Sequence, residues 1–238
     1  MAATLYVIGV GPGDPELLTL KGARALGKAG CICVPRGKEK GESLALSIVR
    51  QAIDLGGKEI VEAYFPMRRA CGTAHREELE ARWNETVLAV LERLGRGIDT
   101  AFITLGDPTL YSTFFYLYDR LLEASPGLAI EIIPGVSSIN ASASRARVPL
   151  GLGDGRIAIL PAPSAADLRT ALGAFDTVVI MKARKVFPTV VAVLAETDLS
   201  GKAVYVSRLG MADERVSRDL ASVAVRDLDY FSLVIVRK

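Results

Sequence analysis

Residues 5–26 read as an apolar strand, LYVIGV, a turn of small residues, GPGDPE, and a helix opening, LLTLKGARAL. The same order of apolar strand, Gly-Asp-Pro turn and helix returns at 103–113 as ITLGDPTLYST. A chain that repeats this unit is committed to alternating strands and helices, hence to an α/β layer with a largely parallel sheet, whose ligands bind at the strand carboxyl ends. Gly9, Gly11 and Gly13 allow positive φ and close approach to a ligand, because no Cβ intervenes. The two turns read as two walls of one cleft. Asp14-Pro15 and Asp107-Pro108 each read as an N-cap followed by a first helical residue, since the carboxylate can accept from free N–H groups and proline lacks one.

Two familiar glycine loops do not fit. A dinucleotide fingerprint needs glycine where Asp14 stands, and a carboxylate beside the turn would repel a pyrophosphate. A phosphate loop needs Gly-Lys followed by Ser or Thr, and neither turn leads to that triplet. Phosphate cradling is therefore excluded as the purpose of these turns.

The chain of 238 residues is long enough for one large or two small domains. With 29 Lys+Arg against 27 Asp+Glu, no global field recruits nucleic acid or an anionic membrane. Mean hydropathy is high at +0.30, yet charges, Gly or Pro interrupt every apolar run before the roughly 18 residues that a span requires. The opening apolar run lacks a basic flank and enters the first turn directly, so it reads as a core strand and the protein as cytoplasmic. Cys31, Cys33 and Cys71 are an odd number without paired spacing, which argues for buried thiols and against a disulfide framework or a zinc site. No ligand cluster for a metal is apparent. His75, the single histidine, lies among charges at the start of a long periodic helix and reads as a surface residue. Leu79, Trp83, Val87, Val90 and Leu94 form that helix's apolar stripe, so Trp83 reads as core or interface.

Further strands are expected at 31–35, 59–65, 99–105 and 128–133, the last feeding Pro134-Gly135-Val136-Ser137-Ser138. That junction offers free helix N–H groups and hydroxyls at a third strand end. A helix over 137–147 then runs into VPLGLGDG at 148–155, a Gly/Pro-rich stretch that reads as a linker. Beyond it come strands at 156–161, 176–182 and 202–208, helices at 164–173 and 186–196, and finally ASVAV and FSLVIV as strands paired without a helix between them. The second domain therefore reads as a mixed-sheet α/β domain.

GVGPGDPELLTLKG, GESLALSI, ITLGDPTLYSTF, EIIPGVSS and DTVVIMK together resemble the tetrapyrrole (corrin and porphyrin) methylases that use S-adenosylmethionine, across nearly the whole chain. The resemblance implies two α/β domains of that type with mixed sheets, 1–147 and 156–238, and a ligand cleft between them. It implies methyl transfer to C20 of precorrin-2 or cobalt-precorrin-2 in cobalamin biosynthesis, with S-adenosylhomocysteine as product, and a homodimer. Carried over position by position, Pro12, Leu105, Gly106, Asp107, Leu110, Ser137, Ser138, Met181, Leu209 and Gly210 fall on the donor-binding places. A sulfonium is a cation, which turn carbonyls and the Asp107 carboxylate suit better than a phosphate.

The electron-rich bridge carbon of the acceptor is itself the nucleophile, so the protein need supply none. A base for the departing proton points to Asp14 first and then Tyr111; a cap explains Asp14 equally well. Arg36, Lys38, Arg68, Arg69, Lys182 and Arg184, with Arg145, Arg147 and Lys185, are basic residues at loops or element ends that could pair acetate and propionate arms. Solvated surface charge is the competing explanation for most of them. Three other readings stay open: a methylase acting at a different carbon of uroporphyrinogen III or a later precorrin, a non-catalytic binding module, and a nicotinamide oxidoreductase.

Overall fold

Both faces of a parallel strand must be covered, and the first strands show it in their burial: Leu5, Val7, Ile8 and the whole of Cys31-Ile32-Cys33-Val34 are solvent-free. The computed structural model describes residues 3–37, 43–65 and 73–238. They form two compact units, Met1–Ser137 and Ser138–Lys238.

In the first unit, β1 (Thr4–Gly9), β2 (Cys31–Arg36), β3 (Glu59–Tyr64), β4 (Thr100–Thr104) and β5 (Ala129–Ile133) lie in the order β3-β2-β4-β1-β5. Every pairing between them is parallel. Helices α1 (Leu20–Lys28) and α2 (Leu44–Ala52) bury Leu26, Ile48 and Val49 on one face with Ile8 and Ile103. On the other face α3 (Thr73–Gly95) and α4 (Phe115–Ala124) bury Val87, Val90, Leu117 and Leu121 with Val7 and Phe102. Adjacent strands β1 and β4 thus send the chain to opposite faces, which makes their carboxyl ends the switch point of the sheet. Trp83 stacks on Tyr116 at 5.1 Å and 4°, tying α3 to α4 as the apolar stripe implies. Cys31 and Cys33 are buried free thiols, and burial pushes both up from the ordinary thiol range. Cys71 lies outside the described residues.

The second unit contains α5 (Ser138–Ala146), β6 (Ile157–Pro161), α6 (Ala165–Ala174), β7 (Thr177–Met181), α7 (Phe187–Glu196), β8 (Ala203–Ser207), β9 (Arg215–Ser217) and β10 (Ser232–Arg237). Its sheet order is β6-β7-β10-β8-β9, with only β6–β7 parallel. Leu168, Leu172, Val190 and Leu194 of α6 and α7 close one face over Val178, Ile180, Tyr205 and Val234, and α5 packs against β8. Helix α5 is held there by Arg218, which donates to Ala146 O at 2.7 Å, and by an Arg145–Glu214 ion pair. Arg237 donates to Pro149 O at 2.9 Å. The units therefore divide at Ser137/Ser138, whereas the sequence reading draws the border at 148–155.

ASVAV is not a strand. Asp219 accepts from Ala221 N–H at 3.1 Å and starts a 3-10 turn over Leu220–Ser222, a second turn covers Val225–Asp227, and Val225 is left 81% exposed. The anchors of this stretch are Leu220 and Leu228, buried on either side of it. The strand that pairs with β8 there is β9, whose Arg-Val-Ser carries no apolar run to announce it.

Candidate functional site

The carboxyl ends of β1, β4 and β5 carry the three turns singled out in the sequence, and the turns are joined to one another. Gly106 N–H donates to Gly11 O at 2.8 Å, Gly11 N–H to Gly106 O at 3.3 Å and Val10 N–H to Thr104 O at 2.9 Å, an antiparallel bridge beyond the end of a parallel sheet. Gly11 and Gly106 have φ of 82° and 71°, which the bridge requires and which glycine adopts without strain. Gly9 and Gly13 do not take positive φ. A Cβ on Gly9 would lie 2.6 Å from Gly106 O and 2.7 Å from Gly135 N. The absent side chain at Gly9 therefore lets three backbone segments meet; the ligand approach expected for this glycine is not needed to explain it.

Asp107 fastens the third turn to the second. One carboxylate oxygen accepts from Gly135 N–H at 3.0 Å, and the other from Thr109 N–H at 2.8 Å and from the Thr109 hydroxyl. Burial acts to raise the Asp107 pKa, but these three hydrogen bonds prevail and hold it below the ordinary aspartate value. Asp107 is not a helix cap, because α4 begins only at Phe115; its partners lie across the turn and on the neighbouring strand end. The carboxylate thus places an ionised charge at the strand ends while acting as a structural pin.

Asp14 does cap, but it caps a 3-10 turn over Pro15–Leu17 by accepting from Glu16 N–H at 2.9 Å; Thr19 caps α1 itself, accepting from Gly22 N–H at 3.0 Å. Tyr111 is 48% exposed and sits at φ 56°, a left-handed conformation that costs a non-glycine residue free energy. Pro12 and Gly106 are buried, whereas Leu105 and Leu110 are half-buried beside Asp107. Ser137 closes the first unit and Ser138 opens α5 in the second. Arg36 pairs with Glu62. Lys38, Arg68 and Arg69 lie outside the described residues.

In the second unit the ends of the first three strands share one device. Ala162 follows β6 at φ 47°, Lys182 follows β7 at φ 55°, and Arg208 follows β8 at φ 51°. Ala162 N–H bonds Met181 O at 2.9 Å, and Arg208 N–H bonds Phe231 O at 2.8 Å, so Met181 and the 207–210 loop lie on one edge of this unit. Leu209 is buried and Gly210 is exposed at φ 73°. Arg208 is paired with Asp213 at 2.5 Å and Asp229 at 3.4 Å. Arg184 is exposed in the turn after Lys182. Sequence reasoning missed Gly9, Gly106 and Gly135 as a set, and it missed the left-handed Ala162 and Arg208. The glycines could have been suspected from their common place after three predicted strands; nothing signals the other two.

Among the described residues no group of three or more His, Cys, Asp or Glu could hold a metal, and no helix is long and apolar enough to cross a membrane. A parallel α/β unit with loops joined at its switch point, followed by a mixed α/β unit, defines a two-unit α/β protein whose candidate site is built from strand-end turns. Residues 4–224 match the tetrapyrrole (corrin/porphyrin) methylases. The chain belongs to that family. It is 38% identical over 242 residues to a cobalt-precorrin-2 C(20)-methyltransferase of Salmonella typhimurium, covering 100% of this chain and 98% of that one. A probable cobalt-precorrin-2 C(20)-methyltransferase of Methanocaldococcus jannaschii is 41% identical over 180 residues, 76% of this chain and 72% of that one. Among solved structures, the uroporphyrin-III C-methyl transferase of Thermus thermophilus complexed with S-adenyl homocysteine has a TM-score of 0.66 at 22% identity, over 99% of this chain and 98% of that one.

The residues present fit a cationic methyl donor. Asp107 keeps its negative charge, and the bridged turns carry no lysine-bearing phosphate cradle.

Proposed function

We propose that this chain transfers a methyl group from S-adenosylmethionine to C20 of precorrin-2, as its cobalt complex, on the route to cobalamin. The observation that carries this reading is the 38% identity, end to end, with a relative that bears that name. Pro12, Leu105, Gly106, Asp107, Leu110 and Ser137 of the first unit, with Ser138, Met181, Leu209 and Gly210 of the second, hold the donor. When bound, S-adenosylmethionine supplies an electrophilic methyl carbon on a positively charged sulfur. The turns contribute a rigid seat, because positioning two reactants can supply a large part of the rate of a displacement, and Asp107 contributes a fixed negative charge beside a cation. Asp107 needs no proton partner for this, since its hydrogen bonds already keep it ionised.

The proton that leaves C20 goes to Asp14, a carboxylate whose cap on Glu16 N–H uses one of its two oxygens; Tyr111 is the second candidate, acting only if its hydroxyl passes its own proton on as it takes up the new one. Acidic arms of the acceptor meet Arg36, Lys182 and Arg184, with Lys38, Arg68 and Arg69. The enzyme works as a homodimer in the cytoplasm. Incubation with labelled donor and, side by side, cobalt-precorrin-2, precorrin-2 and uroporphyrinogen III tests the assignment. The expected result is one methyl per macrocycle on the cobalt complex, located at C20 by NMR; methylation of uroporphyrinogen III alone would replace it with the other branch of the family.

A further inference from the structure

The far end of α5 carries polar groups that the site above does not use. Arg147 follows the helix in the left-handed conformation, φ 54°. Its N–H bonds Ser144 O at 3.0 Å, and Val148 N–H bonds Ala143 O at 2.9 Å. This doubly bonded helix ending is the one that glycine ordinarily fills, because only glycine takes it without a Cβ penalty. A long cationic side chain held there against that preference points to a use for the side chain.

Arg147, with Asn140, Ala143, Ser144, Val148, Pro149 and Leu150, lines an open surface groove of about 400 Å³ in which Arg147, Asn140 and Ser144 are exposed. Among the described residues, the side chains of Arg147, Asn140 and Ser144 make no hydrogen bond or ion pair. Three nearby guanidiniums are already engaged: Arg145 with Glu214, Arg218 with Ala146 O and Arg237 with Pro149 O. No carboxylate lines the groove. A planar fork of donors, an amide and a hydroxyl suit an anionic oxygen group, and Val148, Pro149 and Leu150 beside them suit the methylene stem of a carboxylate arm.

We propose that this groove is a subsite for a carboxylate arm of the substrate, with Arg147 as its specificity-determining residue. The inference rests on the tetrapyrrole reading above. The test compares wild type with Arg147→Gly and Arg147→Lys in three measurements: thermal unfolding, affinity for S-adenosylhomocysteine, and affinity for uroporphyrin III, a stable tetrapyrrole with eight carboxylates, at low and high salt. Arg147→Gly relieves the left-handed strain, so its melting temperature stays level or rises by about 2 °C. Its Kd for uroporphyrin III rises about tenfold at low salt, the gap narrows as salt screens the pair, and S-adenosylhomocysteine affinity is unchanged. Arg147→Lys, which keeps the charge but loses the fork, falls between. A Kd for Arg147→Gly within twofold of wild type overturns the subsite while leaving the proposed function in place. Failure of wild type to bind uroporphyrin III, with S-adenosylhomocysteine still bound, overturns the subsite, while the methylation assay above decides the tetrapyrrole reading separately.

Discussion

The two units finish their strands differently. After β1, β4 and β5 the backbone is drawn together: Gly9 and Gly135 stand where any Cβ would overlap another strand end, Gly106 takes the positive φ of the bridge, and Asp107 ties the turns across. After β6, β7 and β8 the chain instead turns on Ala162, Lys182 and Arg208, which keep their side chains and accept left-handed strain. The first rim is set by what has been removed and the second by what has been retained. A rim of close backbone contacts is rigid and intolerant of substitution; a rim of strained side-chain-bearing residues can vary what it presents. The strand ends of the first unit are thus fixed by backbone contact, whereas those of the second are held by residues whose side chains can differ.

Gly9→Ala is the severest way to break this contrast. Its Cβ would lie 2.6 Å from one carbonyl oxygen and 2.8 Å from Gly135 Cα, so a loss of about 3 kcal/mol is expected in denaturant unfolding of the intact chain. A loss under about 1 kcal/mol would mean that the rim can relax. Asp107→Ala comes next. It leaves the N–H groups of Gly135 and Thr109 without their acceptor, for which about 2 kcal/mol is expected.

The Asp107 effect also has a pH signature. Its folded pKa lies below the unfolded value, so its contribution is fully present above about pH 4 and fades as pH falls through the folded value. The stability gap between wild type and Asp107→Ala is therefore expected to be constant from pH 7 to 5 and to shrink below about pH 4. A gap that widened on acidification would show that the carboxylate is unfavourable in the fold. Ala162→Gly is the mildest change and has the opposite sign. Removing the Cβ at φ 47° is expected to stabilise by about 0.5 kcal/mol, as relieved strain outweighs added chain entropy. Destabilisation would show that the second rim is not strained.

Much of this was legible in the residues. Apolar runs ending in Gly-Asp-Pro or Pro-Gly-Val-Ser locate three strand ends, since turn chemistry is local. The family follows from the same stretches. What the glycines do was not legible, because Gly9 meets Gly106 and Gly135 only once the sheet order is set, and no local signal encodes that pairing. Asp107 has the sequence of a cap and acts instead on a neighbouring strand end. Left-handed Ala162, Lys182, Arg208 and Arg147 leave no trace because none of them is a glycine. Helix α5 has too little apolar patterning to reveal which sheet it covers, so the unit boundary could not be drawn at Ser137. ASVAV misled because a short apolar run has the look of a strand even when Val225 faces water.

Hydrogen exchange of the intact chain with and without S-adenosylhomocysteine tests the central claim most directly, since it reads the backbone turns themselves. Slowed exchange is expected in peptides covering 10–17, 105–113, 134–140, 181–185 and 207–211, with α3 and α6 unchanged. Binding that protects only segments away from the carboxyl ends of β1, β4, β5, β7 and β8 would contradict the assignment of these turns as the methyl-donor seat.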